Sequence, residues 1–165
     1  MTFFPALRAG FGRFVGRVPL SYFFQKEFTM TTVKPPLFGG KTIEEWDLDW
    51  KAVEDGLRHY QPQLRRSFGL YRISWGRQIM AMGTGTDKDG GLAKRLSDFR
   101  RPSWSASNHY AGRLIRAHRC DLTVEVLIIG SDQRAREIAQ QLKTPMIRRH
   151  KPVWTGSSAP YMHKG

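Results

Sequence analysis

From Phe68 to Leu142 the apolar residues change their spacing from twos to threes and fours, and each change marks an element. Phe68-Gly-Leu-Tyr-Arg-Ile-Ser-Trp75 alternates and is rich in aromatic and branched side chains, which predicts a strand. Gly76-Arg77 is a short turn, and Gln78-Ile-Met-Ala-Met82 returns as a second strand, so the two form a hairpin. Gly83 to Gly91 reads as a flexible loop, in which Asp87 and Asp89 are turn-forming residues. Leu92 to Arg100 predicts a short helix bounded by Pro102, and Ser107 to Arg119 another, with Tyr110, Leu114 and Ile115 inward. Leu122 to Ile129 is an apolar run of strand length. Ser131 to Leu142 is a helix with Ser131 as a cap and Ile138, Ala139 and Leu142 on its inner face.

Upstream, Pro35-Pro36 and Gly39-Gly40 mark a linker or extended arm. Thr42 followed by Glu45 has capping-box spacing. Trp46, Trp50, Val53, Leu57 and Tyr60 then recur at threes and fours, so a helix or pair of helices is expected from Ile43 to about Tyr60, stopped by Pro62. The tail from Lys151 contains Pro, Gly and Ser and reads as loose. The expected class is α/β of the α+β type: a small three-stranded antiparallel sheet flanked by helices, with a helical extension before it. The segments are 1–29, an atypical start; 30–62, linker and helical extension; 63–150, the folded domain; and 151–165, a flexible basic tail.

Charge changes the picture. The chain of 165 residues has a net charge of +13. Residues 63–165 hold nineteen basic groups against seven acids, whereas residues 30–62 hold four against six. A basic excess of this size within the folded part points to a polyanion, and nucleic acid ranks ahead of an acidic membrane because no long basic amphipathic helix dominates the region. Most of the excess is arginine, whose planar fork grips phosphate through two hydrogen bonds. Arg72, Lys94, Arg100, Arg101, Arg113 and Arg116 are the candidate phosphate contacts. Trp75, Trp104 and Trp154 could stack bases, although packing is expected to occupy at least two of them.

Other classes fall away. A single cysteine, Cys120, excludes an intramolecular disulfide framework and a Cys-rich zinc site, and is expected to be a buried small side chain. His109, His118 and His150 have no metal-site spacing and read as surface residues. No stretch is long and apolar enough to span a bilayer, since Leu122 to Gly130 is broken by Glu125. Residues 1–29 alternate Phe3, Phe4, Leu7, Phe11, Phe14 and Val15 with Arg8, Arg13 and Arg17, and no acid precedes Glu27. That pattern fits an organelle presequence, which would make the protein mitochondrial, or an interfacial helix. A start at Met30 fits as well, and a bacterial or phage protein would then be cytoplasmic.

The order strand, turn, strand, loop, helix, helix, strand, helix places Gly69-Leu70-Tyr71 on the first strand and Ala81-Met82-Gly83 at the end of the second. Lys94-Arg95-Leu96 sits on the following helix and Glu137 on the last. This arrangement resembles the GIY-YIG nuclease superfamily over roughly Phe68 to Pro145. The resemblance implies a Tyr71 that positions or deprotonates water, an Arg95 on the scissile phosphate and a Glu137 that binds one Mg²⁺ or Mn²⁺. Such roles suit phosphodiester hydrolysis, where an arginine and a cation neutralise developing charge. One carboxylate suffices if the cation keeps its waters and takes substrate phosphate.

The chain departs from the pattern where Ala81 replaces the second-motif tyrosine, where Phe99 stands in place of a histidine, and in the lack of any asparagine beyond Asn108. The implied activity is a divalent-metal-dependent endonuclease, with DNA ahead of RNA. The alternative is an inactive DNA- or RNA-binding module, or a ribonucleoprotein assembly component, on the same fold. In the plainer readings Tyr71 packs the sheet, Arg95 is a solvated helix arginine and Glu137 pairs with Arg134 or sits on a solvated helix face.

Overall fold

The computed structural model describes residues 34–103 and 109–155. By its internal contacts the chain divides into Met1–Lys34, of which only Lys34 is described, and Pro35–Gly165. The expectations for residues 1–29, for Trp104 and for a helix start at Ser107 lie outside the described residues.

In the second unit the elements run α1 (Ile43–Trp46), β1 (Lys51–Ala52), a 3₁₀ turn (Pro62–Leu64), β2 (Phe68–Trp75), β3 (Gln78–Gly85), α2 (Gly91–Arg100), α3 (Tyr110–Ala117), β4 (Thr123–Gly130) and α4 (Gln133–His150). The strands form one antiparallel sheet in the order β1-β4-β2-β3. The class is α+β, as its pattern predicts, with four strands instead of three.

Strand alternation explains why the sheet is covered on both faces. Tyr71 and Ile73 of β2, Ala81 of β3 and Val124 and Val126 of β4 pack on Leu92, Leu96 and Phe99 of α2 and Ile115 of α3. Leu70 of β2 and Leu127 of β4 point the other way and pack on Ala139, Leu142 and Met146 of α4 and on Trp46 of α1. β2 is central, so seven of its eight residues are buried or half-buried. Gly69 serves a close approach there: a Cβ at that position would overlap the Leu127 carbonyl oxygen. Among the described residues no helix is long and apolar enough to cross a membrane.

Several elements differ from expectation. The capping box at Thr42 and Glu45 forms with both its bonds, Glu45 N–H to Thr42 Oγ1 at 3.2 Å and Thr42 N–H to Glu45 Oε2 at 2.7 Å. The helix it opens lasts one turn and does not reach Tyr60. Trp46 drops into the core and donates to the Phe38 carbonyl, and the chain then straightens to pair with β4 as β1. Asp55 and Gly56, both at positive φ, turn it away again. The tryptophan stripe is thus an edge-and-turn segment covering the sheet.

β3 continues through Gly83 and Gly85, which had read as loop, because both pair with β2. A Cβ at Gly83 would meet the Tyr71 phenol, and one at Gly85 would crowd Leu92. The cap of α4 is Asp132, not Ser131: its Oδ1 accepts from Ala135 N–H at 2.7 Å. α4 runs past Leu142 and through Pro145, since Met146 is fully buried and Asp47 holds Arg149 and His150. Cys120 is exposed. The first residues of the supposedly loose tail are docked, with Val153 and Trp154 N–H groups donating to the Ile79 and Met80 carbonyls at the outer edge of β3.

Candidate functional site

Tyr71 and Arg95, expected together, do meet. Tyr71 projects from β2 toward α2 and is only 4% exposed. Its ring meets Phe99 edge-on at 5.5 Å, and the Arg95 guanidinium lies over the same Phe99 ring at 5.0 Å. Both line a small pocket of about 50 Å³ together with Ala81, Met82, His109 and Trp154. The residue expected as a lost histidine position, Phe99, is therefore the surface on which the other two are mounted.

Arg95 also faces a second, larger space. A polar cleft of about 430 Å³ opens at the end of β3, lined by Thr84, Gly85, Thr86, Lys94, Arg95 and, from the other helical layer, Arg136. α2 and α4 cover opposite faces of the sheet, so two arginines can share a cleft only where the sheet ends. Gly85 is that end. The Nε of Arg136 is buried and has no hydrogen-bond partner. A buried donor without an acceptor costs about 1–3 kcal/mol, and the side chain that carries it lines the cleft.

Asp87 and Asp98 line the same cleft. Asp87 is committed: it accepts from Lys94 Nζ at 2.7 Å and from the N–H groups of Asp89 and Gly90 at 3.1 Å each. The Lys94 hydrogen bond holds the Asp87 carboxyl below its usual range, and that bond in turn raises the Lys94 ammonium. Asp87 is thus a turn-former, and Lys94 neutralises it and so adds little net charge for a ligand.

Glu137 is not brought to this place. The inward stripe of α4 is Ala135, Ala139, Leu142 and Met146, and at 3.6 residues per turn Glu137 falls close to the opposite side. Its carboxylate is exposed, lines neither of the two spaces and accepts from Gln133 Nε2 at 2.9 Å. It thus sits on a solvated helix face, paired with Gln133 and not with Arg134. Among the described residues no group of three or more His, Cys, Asp or Glu could hold a metal ion. Glu137 therefore offers Mg²⁺ or Mn²⁺ one solvated carboxylate on the far side of α4, which does not fit a prepared cation site beside Tyr71 and Arg95.

The remaining arginines divide. Arg72 lies on the α4 face and is spent on structure: Nε and Nη2 donate to both Glu125 oxygens at 2.6 and 2.8 Å, and the guanidinium stacks on Trp50 at 4.6 Å. It is corrected from a phosphate contact to a cross-strand clamp. Arg149 is likewise held by Asp47 and Glu44. Acids from residues 44–49 thus neutralise this side, while between Gly91 and Arg119 seven Lys and Arg face one acid. Arg101 is exposed and its Nε donates to Ser97 Oγ at 3.2 Å. Arg100 is half-buried with an unpartnered Nε, Arg113 is exposed and Arg116 half-buried.

Arg136 escaped sequence reasoning, although its place was legible: it flanks the Ala135–Ala139 stripe, where a long side chain can reach past the sheet. A groove of about 420 Å³ beside β4 mixes Arg58 and Arg119 with Asp55, Asp121 and Glu125, and so offers an anion no net attraction. No protein-family model, curated protein or solved structure matches this chain, and its relationships are left to the elements and side chains described above.

Proposed function

We propose that this protein binds nucleic acid by its phosphate backbone, with Arg95 and Arg136 gripping a phosphate in the cleft at the end of β3. The observation that carries this reading is the pair of guanidiniums brought from opposite helical layers to one polar cleft, one of them with a buried donor lacking an acceptor. The acid-poor surface of α2 and α3 supplies further positive charge beside it. Phosphate binding by several arginines releases counterions, so affinity falls steeply with salt. The test is fluorescence anisotropy of labelled single- and double-stranded DNA and RNA between 50 and 200 mM salt. Binding that weakens linearly on a log–log plot supports the reading. Failure to bind any of the four probes, or binding indifferent to salt, overturns it.

A second reading, divalent-metal-dependent endonuclease action as in the GIY-YIG nucleases, draws on one observation: Tyr71 and Arg95 line the same pocket. Against it stand the burial of Tyr71 among core side chains and the outward position of Glu137. Purified protein incubated with Mg²⁺ or Mn²⁺ and duplex, branched or single-stranded substrates decides between them. Cleavage lost in Glu137→Ala with binding intact would establish the nuclease; intact substrates leave a binding module.

A further inference from the structure

Beyond the phosphate cleft, we infer that Trp75, His118 and Trp154 form a stacking platform for an unpaired base, so that the preferred ligand is a single strand. This rests on the reading of the cleft as a phosphate site and names the class of nucleic acid it takes.

Trp75 ends β2 at the hairpin turn and is 45% exposed, although it is the largest side chain type in the protein. Its ring is not loose. His118 lies against it at 4.8 Å between centroids and 40° between planes, and Trp154 continues the row at 6.4 Å and 33° from His118. Three segments meet here: the hairpin turn, the end of α3 and the residues after α4. None of them contains an acid across residues 75–79, 109–120 or 151–155, while Arg77, Arg113, Arg116, Arg119 and Lys151 lie within them. Asp121, whose N–H bonds to the His118 carbonyl at 2.9 Å, is the acid nearest the row and offsets Arg119. Aromatic rings among basic side chains are the elements of sequence-tolerant single-strand binding, because every base has a face to stack and every nucleotide a phosphate. A duplex hides those base faces.

The platform adjoins the small pocket that shares Arg95 with the cleft. Trp154 belongs to both the aromatic row and the pocket that Tyr71 and Arg95 line. Its N–H is bonded to the Met80 carbonyl at 2.6 Å, so it is fixed midway along the outer edge of β3. From Gln78, the partner of Trp75, to Thr84 in the cleft, β3 advances roughly 20 Å. A single strand of a few nucleotides laid along that edge would place a base on Trp75, pass Trp154 and set a phosphate between Arg95 and Arg136.

The experiment uses the full chain and three labelled probes of equal length: oligothymidylate, its duplex with oligoadenylate, and an oligonucleotide with abasic sites throughout. Trp75→Ala is expected to weaken oligothymidylate binding about 5- to 150-fold, the equivalent of about 1–3 kcal/mol of stacking. Affinity for the duplex and the abasic strand should stay within about twofold, with the salt slope unchanged, and Trp75→Phe should keep most of the affinity. If Trp75→Ala fails to fold, Trp75→Leu against Trp75→Phe makes the same comparison. Equal losses on oligothymidylate and the abasic strand, or no loss on either, overturn the platform while the phosphate cleft stands. Wild-type protein that binds none of the probes removes both.

Discussion

Replacing Arg136 with alanine should weaken nucleic-acid binding without weakening the fold, and the two effects have separate origins in one side chain. In the free protein its Nε is buried with no acceptor. Such a donor costs about 1–3 kcal/mol, and its removal offsets the packing lost with the half-buried stem. Stability of Arg136→Ala is therefore expected to equal or slightly exceed wild type, by up to about 1 kcal/mol in urea melts. Binding moves the other way. A charge-assisted hydrogen bond to phosphate is worth about 1.5–3 kcal/mol, so affinity near 50 mM salt should fall by about 10- to 150-fold. The log–log salt slope should lose about 0.9 on duplex or about 0.7 on a single strand, the signature of one phosphate contact. Arg149→Ala is the control, since Asp47 and Glu44 already neutralise that guanidinium at 2.8 and 3.0 Å. Its slope should match wild type. An unchanged slope in Arg136→Ala, or an equal drop in Arg149→Ala, would show that net charge and not the cleft does the binding, and the reasoning would fail.

Two further outcomes follow from ion pairs that hold the fold. Arg72→Ala leaves Glu125 half-buried and unpaired and removes the stack on Trp50, so it should cost about 1–3 kcal/mol in denaturant melts. It should leave the salt slope of binding unchanged; a fall in slope with no loss of stability would return Arg72 to the phosphate contacts. Stability should also fall in acid through Asp47. Burial pushes its carboxyl up, but hydrogen bonds from Arg149, Trp50 and His150 outweigh this and hold it below the ordinary value of 3.8. A depressed folded pKa means the contribution is complete above the unfolded value and is lost as pH drops through 3.8 toward the folded one. Asp47→Asn should therefore be less stable than wild type at pH 6, and the gap should narrow as the pH falls below 3.8. Parallel urea midpoints from pH 6 to 3 would show that Asp47 is not the linked group.

The hairpin of β2 and β3, the helix α2, the buried strand β4 and the start of α4 were legible from local pattern. Each carries its own periodicity over at least one strand or two turns, and its caps or turn residues lie beside it in the chain. Tyr71 and Arg95 meet because α2 follows β3 after a short connection and packs back across the hairpin, on the face from which Tyr71 projects. Glu137 misled because its position in the element order was right while its place around the helix was not. The stripe of Ala135, Ala139 and Leu142, visible in the chain, already turns it outward.

By itself the sequence determined the class of fold, the concentration of positive charge after residue 62 and the hairpin that opens at Phe68, because these depend on neighbours a few residues apart. Only the tertiary structure decided that Lys51–Ala52 pairs with β4, that Arg136 shares a cleft with Arg95, and that Trp75, His118 and Trp154 form one row. Those arrangements join residues 36 to 79 positions apart. No local periodicity encodes such distances; they are set by which strand lies at the edge of the sheet and where the helices covering its two faces end.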